Sequence, residues 1–286
     1  MERPHIETTV FVNGQQAGHR QSLSVPHEYD ITPYIIYGGD NTLEVEVYNG
    51  NDHVGVGQDS HSVTDQTQGD WNGIVGRLEL QAHPMAGIIG MTTIPNIKDK
   101  TVRVQLSFQG RSRHKVRFSL WPNDLQSVVQ VSDSVYDLKL KTVRLWDEFS
   151  PNLYHLSATT QRETVTTTFG MREISVDGRQ IILNGHPIFL RGTVENCNFP
   201  LTGYPPTDVD SWLAIFRKCK AYGLNHMRFH SYCPPEAAFV AADSVGFYLQ
   251  PEGPSWPNHG VKLGRGMVID DYLMKETQRM VRQYGN

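Results

Sequence analysis

Apolar and polar residues alternate in short runs through the first 168 positions, the period of a strand with one face buried. Thr8-Thr9-Val10-Phe11-Val12 predicts a strand, and Asn13-Gly14 a tight hairpin turn after it, because these residues tolerate positive φ. Thr42–Tyr48 and Gly76–Ala82 alternate in the same way. Between them His53–Gly73 is long, polar and glycine-rich, the composition of a functional or mobile loop. From about 85 onward, Lys100–Leu106, Lys115–Leu120, Asp137–Leu140, Leu153–Leu156 and Glu163–Thr168 alternate again. That spacing suits an immunoglobulin-like sandwich.

The pattern changes after Phe169. Asp177-Gly178 and Asn184-Gly185 turn two short hairpins. Three apolar runs then end in polar groups: Ile188–Gly192, Leu224–His230 and Gly246–Glu252. A helical stretch separates each pair, and strand–helix–strand alternation builds a parallel sheet. The first helix has Thr207 as its N-cap, Val209, Trp212, Phe216 and Cys219 on one face, and Gly223 at its end. A second starts after Pro234-Pro235 and stops at Gly246. Leu273, Met280, Val281 and Tyr284 mark the apolar stripe of a last helix. The fold class expected is multidomain β plus α/β.

Composition narrows the partners. The 286 residues carry a formal net charge of −4 with no basic block, so nucleic acid is excluded as an expected partner. No apolar run reaches the length of about 20 needed to span a bilayer, so no membrane partner is expected. The three cysteines, Cys197, Cys219 and Cys233, show neither a disulfide framework nor paired metal spacing. Cys219 reads as core filler, whereas Cys197 and Cys233 follow predicted strands. The first residues lack the apolar stretch of a signal peptide; the compartment is left open, with a bacterial periplasmic or secreted setting compatible for a longer parent.

Several strings in this order resemble family 2 glycoside hydrolases, the β-galactosidase, β-glucuronidase and β-mannosidase group. They are Val12-Asn13-Gly14, Tyr29-Asp30-Ile31-Thr32, Asn41-Thr42-Leu43, Trp71-Asn72-Gly73-Ile74, Gly76-Arg77-Leu78, Leu145-Trp146, Pro151-Asn152-Leu153-Tyr154, Phe169-Gly170-Met171-Arg172 and Leu183-Asn184-Gly185-His186-Pro187. The resemblance implies residues 1–84 as the C-terminal part of a jelly-roll sugar-binding-like domain. It implies 85–168 as an immunoglobulin-like sandwich, and 169–286 as the first three units of a TIM (β/α)8 barrel. Such a barrel needs about 250 residues. The chain is therefore expected to be part of a longer enzyme, ending before the two catalytic glutamates, the first of them in an Asn-Glu pair. It also implies cleavage of terminal β-linked sugars, galactoside-type, with retention, a carbohydrate substrate, and a homo-oligomer in the full-length parent. The alternative is a non-catalytic carbohydrate-binding or scaffolding protein of β-sandwiches.

Barrels of this kind place their chemistry at strand C-termini. Arg228 matches the family arginine beside the nucleophile, and Glu252 the first glutamate after strand three. No catalytic carboxylate pair is expected within the chain, and these two are supporting candidates. Glu195, Asn196 and His230 are candidate contacts to sugar hydroxyls. Tyr232 and Trp256 offer flat faces for stacking. Departures are also visible: Phe229-His230-Ser231 reverses the family's Ser-His order, and the family's second, metal-binding glutamate falls near Trp256. No cofactor or metal site is expected, magnesium included. Trp71 is expected to pack the first domain. Three barrel units leave open edges, so the segment beyond about 170 is expected to be loose.

Overall fold

The computed structural model describes residues 1–57, 59–63, 71–110, 115–256 and 261–285. They form mostly β-sheet with few helices, in two compact units. One comprises Met1–Glu79, Gly192–Ala241 and Tyr248–Gly285; the other comprises Leu80–Arg191 and Ala242–Phe247.

In the second unit β4 (Ile88–Asn96), β5 (Thr101–Phe108), β7 (Leu125–Gln130) and β8 (Val135–Leu140) form an antiparallel sheet in the order β4-β5-β8-β7. A second sheet, ordered β10-β9-β6, contains β6 (Arg117–Trp121), β9 (Leu153–Thr159) and β10 (Thr164–Gly170). The alternation read from sequence points one face of each into a common core: Val102, Val104 and Leu106 from β5, Tyr136, Leu138 and Leu140 from β8, and Tyr154, Leu156 and Ala158 from β9. The small sheet β11 (Ile174–Asp177), β12 (Gln180–Leu183) and β13 (His186–Pro187) is a meander, with Asn184 and Gly185 at φ 52° and 82° supplying one of the expected turns.

In the first unit β1 (Glu7–Val12), β2 (Gln15–Gln21) and β3 (Leu43–Tyr48) form a sheet ordered β2-β1-β3, and Asn13-Gly14 turns its hairpin at φ 51° and 77°. β14 (Gly192–Glu195), β15 (His226–Phe229) and β16 (Tyr248–Pro251) form a parallel sheet in sequence order. Helix α1 (Val209–Ala221) links β14 to β15, and α2 (Glu236–Val245) links β15 to β16. Trp212 and Phe216 of α1 are buried as the stripe requires, with Trp212 5.8 Å from Phe229. Helix α3 (Val268–Tyr284) closes its own start with Asp270, whose carboxylate accepts the N–H groups of Gly264, Arg265 and Gly266.

Several expectations need correction. The cap of α1 is Asp208, which accepts Ser211 N–H at 2.8 Å, not Thr207. Ile188–Arg191 does not start the parallel sheet: Ile188 N–H donates to Ile181 O at 2.9 Å, extending the meander, and the first parallel strand starts at Gly192. Gly76–Ala82 is not a strand: its alternation leaves Leu78 and Leu80 at 62% and 78% exposure, and its backbone bonds run to Glu2. β4 and β7 were not foreseen. In α3 the buried stripe is Ile269, Tyr272, Glu276 and Met280, so an ionisable residue occupies a core position, while Val281, one residue round the helix from Met280, is 65% exposed.

That residue joins the two parts of the first unit. Glu276 has no exposed surface and accepts Ser22 Oγ–H at 2.7 Å, Leu23 N–H at 2.8 Å and Arg279 Nη1–H at 3.0 Å. Around it Ile6, Leu23, Val54, Val56, Val63, Val261, Ile269 and Tyr272 share one apolar core. Each such side chain fully buried contributes about 1.5–3 kcal/mol. Arg3, 5% exposed, adds guanidinium donors to Leu23 O at 2.7 Å and to Cys233 O. Residues 261–276 thus share a core with the chain's first 63 residues, and Arg3 ties Cys233 to the same region, a support that the strand pattern did not reveal.

Glu276→Ala removes the buried acceptor of Ser22 Oγ–H and the nearer acceptor of Leu23 N–H, together with the carboxylate partner of Arg279, and a loss of about 3 kcal/mol is expected. Denaturant unfolding followed by tryptophan fluorescence measures it. A loss below about 1 kcal/mol would show that the carboxylate does not hold the unit together.

Candidate functional site at the ends of the parallel strands

Pairing register sorts the candidates. Val194, Arg228 and Gln250 lie side by side across the parallel sheet, as do Glu195, Phe229 and Pro251. Side chains alternate along a strand, so Arg228 and Glu195 leave opposite faces. Phe229, fully buried, packs on Trp212, and Glu195 shares its side.

On the other face Arg228 meets Glu252, one residue past β16. Nε donates to Oε1 at 2.5 Å and Nη2 to Oε2 at 3.2 Å, a two-pronged pair. Ser231 N–H donates to Glu252 Oε2 at 2.9 Å. Burial raises the Glu252 carboxyl, but the hydrogen bonds from Arg228 and Ser231 outweigh it, and its pKa lies below the ordinary range. Glu252 is therefore a fixed anion. Beside it the His230 and Trp256 rings stack at 5.0 Å with 23° between their planes.

A residue that sequence reasoning missed completes the group. His61, from the 51–63 loop, donates its backbone N–H to Ser231 Oγ at 2.8 Å. Its Nε2 lies 2.9 Å from His230 Nδ1, and its ring 4.4 Å from Trp256. Trp256 N–H returns to Asp59 O at 2.8 Å, and Ser255 Oγ–H to Val56 O at 3.4 Å. The only sequence signal was the polar, glycine-rich composition of the 53–73 loop; residues 58 and 64–70 lie outside the described residues.

Of the remaining candidates, Glu195 and Tyr232 meet this group through their backbone carbonyls, which accept His230 N–H at 2.9 Å and Glu252 N–H at 3.2 Å. Glu195 Oε1 accepts Asn198 N–H at 3.0 Å, while Oε2 is buried with no hydrogen-bond partner among the described residues. Burial pushes its pKa up to about 7 against the local backbone N–H groups. Asn196 is exposed. Tyr232 is 1% exposed with its ring 5.5 Å from Phe229, so it is a core residue rather than a stacking surface. Cys197 and Cys233 are buried, and burial pushes the Cys233 thiol up to about 12. Trp71 packs on His5 at 4.6 Å, as expected. Cys197 and Ser231 have φ of 56° and 57°, each two residues beyond the end of a parallel strand. Left-handed backbone at non-glycine residues costs on the order of 1–3 kcal/mol and clusters at functional turns. A hollow of about 200 Å³ lined by Gln21, His53, Tyr272, Lys275 and Arg279 includes none of the strand-end residues. Among the described residues no group of three or more His, Cys, Asp or Glu side chains could hold a metal ion.

Residues 77–172 match the family model "Glycosyl hydrolases family 2". The chain is 27% identical over 262 residues to the β-galactosidase large subunit of Latilactobacillus sakei, covering 85% of this chain and 40% of that protein. It is 25% identical over 260 residues to a β-galactosidase of Staphylococcus xylosus, covering 88% of this chain and 25% of that protein. The chain is thus similar to glycoside hydrolase family 2 proteins, and the family model itself covers residues 77–172. Among solved structures, a β-glucuronidase of Bacteroides uniformis superposes over 100% of this chain and 36% of that one, with a TM-score of 0.77 at 18% identity. A Ruminococcus gnavus β-glucuronidase does so over 100% and 52%, with a TM-score of 0.76 at 17% identity. The chain spans 25% and 40% of the two curated relatives' lengths.

Glu195 gives a pH test. Its folded pKa of about 7 lies above the ordinary 4.5, so the unfolded chain releases its proton first. Stability from this group is full below about 4.5 and is lost as pH rises through about 7. Glu195→Gln is therefore expected to raise Tm relative to wild type at pH 8 and to lose that advantage at pH 5. Thermal unfolding at both pH values decides it; an equal difference at the two would mean that the carboxyl ionises normally.

Proposed function

We propose that this chain is part of a retaining glycoside hydrolase that cleaves terminal β-linked, galactoside-type sugars from oligo- or polysaccharides. Residues 1–84 are its jelly-roll portion, 85–168 its immunoglobulin-like domain and 169–286 the first three units of its barrel. The observation that carries the reading is the Arg228–Glu252 pair, held by Ser231 at the C-terminal ends of parallel strands, beside the flat rings of His230 and Trp256.

Retaining hydrolysis needs two carboxyl groups about 5–5.5 Å apart, one to protonate the leaving oxygen and one to attack the anomeric carbon. Glu195 and Glu252 leave opposite faces of the sheet and do not make such a pair. The acid/base and nucleophile then come from outside residues 1–286, in keeping with the share of the relatives' length that the chain spans. Within the chain Glu252 accepts sugar hydroxyls, Trp256 and His230 bound the sugar, and Arg228 orients Glu252 and stabilises neighbouring negative charge. The Arg228 charge is taken up by Glu252, which favours a neutral sugar over a uronic acid. The names of the sequence relatives favour the same choice.

A panel of aryl β-glycosides tests this. The complete protein containing this chain is expected to hydrolyse the β-galactoside well above the β-glucuronide, and purified 1–286 to hydrolyse neither. Turnover by 1–286 that Glu252→Gln abolishes would show the catalytic carboxylates to be misplaced. Sugar binding by the complete protein without turnover would support a non-catalytic carbohydrate-binding protein instead.

In the complete protein, Arg228→Ala is expected to lower kcat/KM by about a hundredfold or more. The acid limb of the pH–rate profile should move upward, since a carboxylate losing a cationic neighbour is harder to ionise. Arg228→Lys should recover only part, because an ammonium cannot make the planar two-pronged contact. Wild-type turnover with a lowered Tm would make Arg228 a structural ion-pair residue.

A further inference from the structure

His61 is 6% exposed and reaches the strand ends from the loop after β3, not from the parallel sheet. Its contacts there include its N–H to Ser231 Oγ at 2.8 Å, its Nε2 to His230 Nδ1 at 2.9 Å, and its ring to Trp256 at 4.4 Å. A nitrogen-to-nitrogen hydrogen bond between imidazoles works only if one ring donates and the other accepts. Two imidazolium rings cannot form it. Burial, then the neighbouring His230, against the pull of Glu252, bring the His61 pKa down to about 4, so this ring is neutral near pH 7. With His61 Nε2–H as the donor, Nδ1 of His230 is the acceptor and carries no proton, so the ring's proton sits on Nε2.

We propose that His61 is a positioning residue for the sugar site: through the Nε2–Nδ1 hydrogen bond it fixes the ring plane and tautomer of His230, so that His230 Nε2 meets a hydroxyl of a neutral pyranose in one defined state. The proposal rests on the carbohydrate reading above. His61 itself is too buried to touch a sugar. Its loop is pinned at Val54, Val56 and Val63 in the apolar core, and at Asp59 by Trp256 N–H. The His230 ring is therefore held on one side by stacking on Trp256 and at its edge by His61.

Kinetics in the complete protein separate a hydrogen-bonding role from packing. His61→Phe keeps a flat ring and loses the bond; His61→Gln keeps an amide donor and acceptor. His61→Phe is expected to raise KM for an aryl β-galactoside at least tenfold with kcat within threefold, and His61→Gln to stay within about threefold of the wild-type KM. Equal KM values for both variants, or a wild-type KM in His61→Phe, would overturn the proposal. A second measurement needs no variant to fold. In 15N-labelled wild-type 1–286 at pH 7, a through-bond nitrogen–nitrogen coupling should join His61 Nε2 to His230 Nδ1, and its absence would overturn the proposal. If the coupling is present but the complete protein neither cleaves a glycoside nor binds a sugar, the carbohydrate reading falls, and the sugar-hydroxyl role of His230 with it, while the pairing of the two rings stands.

Discussion

One buried carboxylate sets the conditions for the rest of the first unit. Glu276 lies within an otherwise apolar helix stripe, and a charge taken out of water is tolerated only when its lone pairs are met. Ser22, Leu23 and Arg279 meet them. Two of these partners lie more than 250 positions away in sequence. The first sheet's connection and α3 can therefore occupy only arrangements that bring these groups together. Apolar burial is non-directional and would accept many packings; the carboxylate selects one of them.

That selection reaches the strand ends. The loop following β3 supplies Val54, Val56 and Val63 to the same core and carries His61 between them. Fixing the core residues leaves His61 little freedom, and it arrives at Ser231. Ser231 is the junction: its Oγ accepts His61 N–H, and its own N–H binds Glu252. Its left-handed backbone aims the two groups at different partners, at an energetic cost that the surrounding contacts offset. A serine next to the conspicuous Arg228 and His230 thus couples a loop from the start of the chain to the carboxylate after β16.

Sequence made the regular parts legible for specific reasons. β5, β8 and β9 have one buried face, so hydrophobicity alternates, and glycine or asparagine marks turns that need positive φ. Arg228, His230, Glu252 and Trp256 could be selected because the strand–helix alternation identified which ends of the strands matter. The failures have physical causes too. β7 has almost no buried residue to impose a pattern, and Glu276 interrupts the apolar stripe of α3. The first parallel strand was placed too early because Ile188 is as apolar as a strand residue but pairs with Ile181. Which face Glu195 leaves depends on that start point, so a shift of a few residues separated it from Arg228. His61 could not be found from local pattern at all, since its partners His230 and Trp256 are joined to it only by the tertiary fold.

The central claim is that the first sheet's loop and the parallel strand ends belong to one cooperative unit. Native-state hydrogen exchange on two amides tests it most directly. Leu23 N–H binds Glu276, and His61 N–H binds Ser231 Oγ. If one core holds both, neither amide can exchange without the same opening, and their exchange free energies should agree within about 1 kcal/mol and fall in parallel with added denaturant. A His61 amide that exchanges several orders of magnitude faster than Leu23, with no denaturant dependence, would contradict the account, because the loop would then be opening on its own.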